Sequence, residues 1–190
     1  MTPNKVIALT GGIGSGKSYF CSLLEKLGYE TVDCDAIARQ VSYDGGVLKK
    51  IEQTFGKQFV LEGVLDRRAL RDEVFGSEQK KKALDDIFFT RTVEALKERL
   101  KNCASNTVFV EVSNFKEEMQ DLFTLVFEIN AAEDIRLDRV TMRDNADQEG
   151  IKNIMAMQKP PFKVDEKIVN EGNYNSLLSK AKALIKKYNL

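Results

Sequence analysis

Residues 6–10, Val-Ile-Ala-Leu-Thr, are apolar with no polar alternation, which predicts a strand buried on both faces of a parallel sheet. Helical spacing then runs from Lys17 to about Leu27 and stops at Gly28, a residue suited to a helix end. A second short strand, Glu-Thr-Val-Asp-Cys, ends near Asp33. Residues 36–60 have a helical pattern broken at Asp44-Gly45-Gly46, and 66–102 are charged and periodic, predicting two or more helices broken near Gly76-Ser77. Strand character returns at 107–112 and 122–130, followed by a helix over 134–143 and a polar stretch with helical spacing over 147–158. The Lys-Pro-Pro-Phe run at 159–162 stops that helix, 167–170 reads as a last strand, and a final helix extends to about Tyr188. Strands alternating with helices predict a three-layer α/β domain with a mostly parallel sheet. The helical block at 60–102 would be inserted between the second and third strands.

Composition narrows the chemistry. At 190 residues the chain is one domain, or one core domain with insertions, long enough to bury most of its apolar surface. Its 29 basic and 29 acidic residues cancel, so no net field steers it toward nucleic acid or a membrane, although local charge clusters stay open. Runs such as Leu-Val-Phe-Glu-Ile are too short to span a bilayer, and the N-terminus leads into a strand rather than a signal-peptide apolar region. Cys21, Cys34 and Cys103 lack metal-ligand spacing and are odd in number, which predicts reduced thiols in a cytoplasmic protein. No histidine is present, so a general base must be a carboxylate, lysine, cysteine or tyrosine.

Residues 11–18, Gly-Gly-Ile-Gly-Ser-Gly-Lys-Ser, match the phosphate-binding pattern G-x-x-x-x-G-K-[ST] between a predicted strand and a predicted helix. Glycines let the main chain approach an anion with no Cβ in the way, and the following helix adds its positive end. The expected nucleotide-binding set is Gly12, Ile13, Gly14, Ser15, Gly16, Lys17, Ser18 and Tyr19. Lys17 would place its charge on the β/γ oxygens, and Ser18 would complete a Mg²⁺ shell. Asp33 and Asp35 follow where the second strand runs out, at the edge where open α/β sheets bind ligands. Asp33 is the candidate base for an acceptor hydroxyl; Asp35 is a candidate Mg²⁺ ligand or a helix cap. Glu111, at the end of the third main strand, is a candidate for a Mg²⁺-bound water or a paired buried carboxylate.

Three segments taken in order, "ALTGGIGSGKS", "GYETVDCDAIARQV" and "GVLDRRALRDEVF", resemble the dephospho-CoA kinase family. "RVTMRD" at 139–144, Gln158 and "DEKIVNEG" at 165–172 are similar to that family's lid entry, lid end and last-strand segment. The resemblance implies a P-loop NTPase fold with a parallel central sheet, a helical acceptor-binding insertion and a helical lid. Residues 1–35, 103–143 and 164–190 would form the core, 36–102 the acceptor region and 144–163 the lid. It further implies that ATP and Mg²⁺ serve phosphorylation of the ribose 3′-hydroxyl of dephospho-CoA. Asp33 would then be the acceptor-side base, and Arg139 and Arg143 the lid arginines that screen the transferred charge. From its place near the end of the last strand, Asn170 is a candidate either for the adenine edge or for stabilising a turn, and Arg39, Arg67 and Arg68 are candidates for the acceptor's phosphates or for a charged helical face.

The chain departs from the family pattern at several places. Phe89-Thr90 stand where members carry His-Pro, Ser113-Asn114-Phe115 where they carry Pro-Leu-Leu, and Asn153 where an arginine is common. The segment between Gln158 and Asp165 is shorter, with Lys159 or Lys163 as candidate replacements for a lid arginine. The residues alone also fit another small-molecule or nucleoside monophosphate kinase, or a nucleotide-dependent switch.

Overall fold

The computed structural model describes residues 3–145, 147–158 and 163–190. The expected helix stop at 159–162 and the role considered for Lys159 lie outside the described residues. The described chain divides into two compact units: one comprises residues up to Asp33 and from Leu100 onward, the other Cys34–Arg99.

The first unit is built on five parallel strands: β1 (Lys5–Thr10), β2 (Glu30–Asp33), β5 (Thr107–Glu111), β6 (Leu125–Asn130) and β7 (Glu166–Val169). Their order is β2-β5-β1-β6-β7. The uninterrupted apolar pattern of β1 follows from this position. Val6, Ile7, Ala8 and Leu9 are all buried, so both faces of the strand are covered. On one face Ile7, Leu9, Phe109, Phe127, Ile129 and Ile168 pack with Phe20, Leu23 and Leu24 of α1 (Lys17–Lys26) and with Leu177, Ala181 and Leu184 of α8 (Tyr174–Tyr188). Because β1 is flanked by β5 on one side and β6 on the other, the loop after it emerges where the sheet's connections diverge in opposite directions. That is the position at which open α/β sheets form a ligand crevice.

Two further helices belong to this unit, α6 (Glu133–Asp144) and α7 (Gln148–Met157). Asp147 caps α7 by accepting from the N–H groups of Glu149 and Gly150. β6 starts at Leu125 rather than near residue 122, because residues 117–122 coil into a 3₁₀ turn that buries Met119. Thr124 joins the sheet through Val6 instead, donating its N–H and accepting at its hydroxyl.

The second unit holds α2 (Cys34–Val41), α3 (Gly45–Phe55), α4 (Arg67–Val74) and α5 (Glu78–Lys101, whose last two residues lie in the first unit). Its core is Val41, Val47, Ile51, Phe59, Leu70 and Val74. The break expected at 44–46 is the start of α3, where Asp44 accepts from Gly46 and Val47 and pairs with Arg91 at 2.9 Å. An antiparallel hairpin, β3 (Val60–Leu61) and β4 (Val64–Leu65), stands at the start of the block expected to be helical. Glu62 and Gly63 form its two-residue turn with φ of 51° and 78°, the left-handed geometry such turns need.

Candidate active site

The phosphate-binding loop folds as its glycines permit. Gly11, Gly14 and Gly16 adopt φ of 144°, 77° and 93°. A Cβ at Gly14 would lie 2.5 Å from the Arg136 carbonyl oxygen, and one at Gly16 would lie 2.2 Å from the Asn170 side-chain nitrogen. The loop's carbonyls are accounted for one after another. Lys17 Nζ donates to the Gly11 and Gly12 oxygens at 2.8 and 3.4 Å. Arg136 Nε donates to the Ile13 oxygen at 2.9 Å, Arg139 to the Gly14 oxygen at 3.4 Å, and Asn170 Nδ2 to the Ser15 oxygen at 2.8 Å. In a trans peptide, C=O and the next N–H point to opposite sides. Drawing the carbonyls of Ile13 and Ser15 toward α6 and β7 therefore turns the N–H groups of Gly14 and Gly16 the other way. The Ser15 N–H instead donates to the Gly12 oxygen. A concave set of donors at a helix N-terminus is a site for anions.

Beyond the loop stand the carboxylates. Asp33 and Glu111 are register partners at the ends of β2 and β5, and Glu111 is paired likewise with Leu9 of β1. The Ser18 hydroxyl donates to Glu111 Oε1 at 2.7 Å. Cys21, one turn further along α1, lies against the same carboxylate. Burial first, then the charge of Glu111, pushes its thiol far above the ordinary range, which leaves it neutral and without nucleophilic character. Ser18 and Glu111 are hard oxygen donors of the kind Mg²⁺ takes. No group of three or more metal-binding side chains occurs among the described residues.

The other candidates fall as follows. Tyr19 lies in the first turn of α1. Asn170 is 4% exposed, with its amide bonded to Ser15. Arg139 also donates to the Asn170 oxygen at 3.0 Å, tying the loop to the end of β7. Arg143, one helical turn beyond, forks onto Asp144 at 2.6 and 2.7 Å. Asp35 is in the first turn of α2, in the other unit from Asp33. Gln158 reaches the loop, its Oε1 accepting from the Ile13 N–H at 2.8 Å. Sequence reasoning passed over Arg136. The signal available was its spacing: residues 136, 139 and 143 recur at three and four, so they share one face of α6.

In the second unit, a cavity of about 410 Å³ is lined by Arg39, Arg67 and Arg71 over Leu65, Leu70 and Phe88. Arg67 donates to the Ser42 hydroxyl. Arg68 lies beside Arg67 on α4.

A parallel sheet whose first strand delivers a glycine-rich loop, a lysine and a serine, with carboxylates on the neighbouring strand ends, defines a P-loop kinase. A profile of the dephospho-CoA kinase family matches residues 5–170, and the chain belongs to that family. It is 34% identical over 192 residues to a dephospho-CoA kinase of Acinetobacter baylyi, covering 96% of this chain and 97% of that one. It is 36% identical over 156 residues to the Aggregatibacter actinomycetemcomitans enzyme of the same name, covering 80% and 75%. A crystal structure from Thermus thermophilus superposes with a TM-score of 0.82 at 27% identity, over 97% of this chain and 98% of that one.

Proposed function

We propose that this chain transfers the γ-phosphoryl group of ATP to the ribose 3′-hydroxyl of dephospho-CoA, giving CoA and ADP in the last step of coenzyme A synthesis. Membership of the family supports the reaction. The single structural observation behind the residue roles is the alignment of Ser18, Glu111 and Asp33 along the edge of the sheet that carries the phosphate loop.

In this reading the loop amides and Lys17 grip the β- and γ-phosphates. Ser18 would hold Mg²⁺ and Glu111 would orient a water on it, and the ion would supply charge neutralisation on the phosphate oxygens. Asp33 accepts the proton of the acceptor hydroxyl as its oxygen attacks phosphorus and the bond to the ADP oxygen breaks. Most of the rate gain in such a transfer comes from positioning and charge stabilisation. The fixed loop and the guanidinium of Arg143 suit those tasks; Arg139 serves by holding the loop. The lined cavity of the second unit fits the acceptor chemically. Arg39, Arg67 and Arg71 match diphosphate oxygens, and Leu65, Leu70 and Phe88 match an uncharged arm.

The test is a coupled ADP-release assay with dephospho-CoA, adenosine, AMP, shikimate and gluconate in parallel. Turnover with dephospho-CoA alone, lost in Lys17→Ala, is the expected result. Rates with dephospho-CoA no higher than ATP hydrolysis without any acceptor would end the assignment.

A further inference from the structure

One residue of the loop, Ile13, has both of its main-chain polar atoms held by side chains from outside the loop. Ile13 donates its N–H to Gln158 Oε1 at 2.8 Å and accepts at its oxygen from Arg136 Nε at 2.9 Å. The two side chains also meet each other, Arg136 Nη2 to Gln158 Oε1 at 3.4 Å. They come from separate elements, the first turns of α6 and the residue that ends α7. We propose that Arg136 and Gln158 are positioning residues for the kinase, a latch by which α6 and the end of α7 hold the phosphate loop in the shape that binds ATP.

The latch explains a glycine that conformation does not require. Gly12 is absent from the loop's positive-φ residues, so its backbone would accept any side chain. Space forbids one. A Cβ there would lie 2.3 Å from Arg136 Nη2, 2.7 Å from its Cζ and 3.0 Å from Gln158 Oε1. The guanidinium occupies the room that a Cβ would fill, and the need for glycine at 12 is set by the partner rather than by φ. Arg136 is itself fixed, its N–H donating to the Ala132 oxygen at 3.0 Å as α6 begins. A planar fork can serve Ile13 and Gln158 together; an ammonium group on a flexible stem cannot hold both in that geometry.

Orientation of the Ile13 peptide matters to ATP because it dictates the direction of the Gly14 N–H. Released, the loop would have to be ordered by the nucleotide itself, and affinity would fall by that ordering cost. The charge of Arg136 alone would act differently, attracting phosphate regardless of the fork.

This inference rests on the nucleotide-binding reading, and its test needs no acceptor. ATP dissociation constants are measured by calorimetry on the full chain with Mg²⁺ present, together with kcat and KM for ATP. R136A and Q158A are each expected to weaken ATP binding about tenfold, the loss of one good polar contact. KM for ATP rises with it, and kcat changes less than about threefold. R136K should resemble R136A. G12A should cost about tenfold or more in the native background but less than about threefold when combined with R136A, since the clash is gone. Native-like ATP affinity in R136A or R136K, or additive losses in G12A/R136A, would overturn the latch. If R136A melts below the assay temperature, Q158A, at a helix end rather than in the core, decides alone in the same way. Failure of the unaltered chain to bind ATP would instead strike the functional reading beneath it.

Discussion

Asn170→Ala isolates one strut of the phosphate loop. The residue is 4% exposed, and its amide donates at 2.8 Å to the carbonyl of Ser15, a residue with no solvent exposure. Its main-chain bonds, from its N–H to the Asn130 oxygen and to its own oxygen from Arg139, survive the substitution. A net hydrogen bond of this kind contributes about 1 kcal/mol, and a buried carbonyl deprived of its donor costs about 1–3 kcal/mol. We therefore expect a loss of about 2 kcal/mol. For a chain of this length each kcal/mol lowers Tm by about 2–4 °C, so the midpoint should fall by about 4–8 °C in a far-ultraviolet circular dichroism melt. Asn170→Asp keeps the volume but removes the donor and should melt with the alanine variant rather than with the native chain. A native-like midpoint in both variants would refute the view that this buried amide holds the loop.

Asp33→Asn should lower turnover by about 10²–10⁴-fold, the span for a lost general base, while calorimetric ATP affinity stays within about twofold; near-native turnover would remove Asp33 from the role of base. Glu111→Gln should raise the Mg²⁺ concentration for half-maximal activity by about tenfold to 100-fold, the range for groups that orient a metal's ligands, and an unchanged Mg²⁺ titration would dissociate Glu111 from the ion. Asp44 is held below the usual carboxylate range first by its hydrogen bond from Arg91 and then by the Val47 and Gly46 N–H groups. A depressed folded-state value adds stability above the unfolded value, near pH 3.9, which disappears as pH falls through the folded one. Urea melts should therefore show the native chain more stable than Asp44→Asn at pH 7, with the difference shrinking below about pH 4; a constant difference would contradict the pairing.

Legibility in the sequence followed the range of the interactions involved. The five main strands, the loop at 11–18 and the caps at Gly28 and Asp44 depend on neighbours within a turn or a strand, and the pattern carried them to within a few residues. The β3–β4 hairpin escaped because each of its strands is only two residues long, too short to show an alternating pattern, and the deciding turn is only Glu62-Gly63. Arg136 escaped because a basic residue on a polar helix face has the same local signature whether it meets solvent or a loop 123 positions away.

By itself the sequence determined that a strand delivers a glycine-rich bend to a lysine and a serine, since φ freedom, apolar runs and residue chemistry are local properties. It also set the limits on acid–base chemistry through the absence of histidine. Tertiary structure alone decided the strand order that seats Asp33 beside Glu111, the bond from Ser18 to that carboxylate, and the three side chains, two from α6 and one from the residue after β7, that turn the loop's carbonyls outward. Those partners are separated by tens to more than a hundred residues, and only packing of the sheet and its helices brings such distant groups within bonding distance.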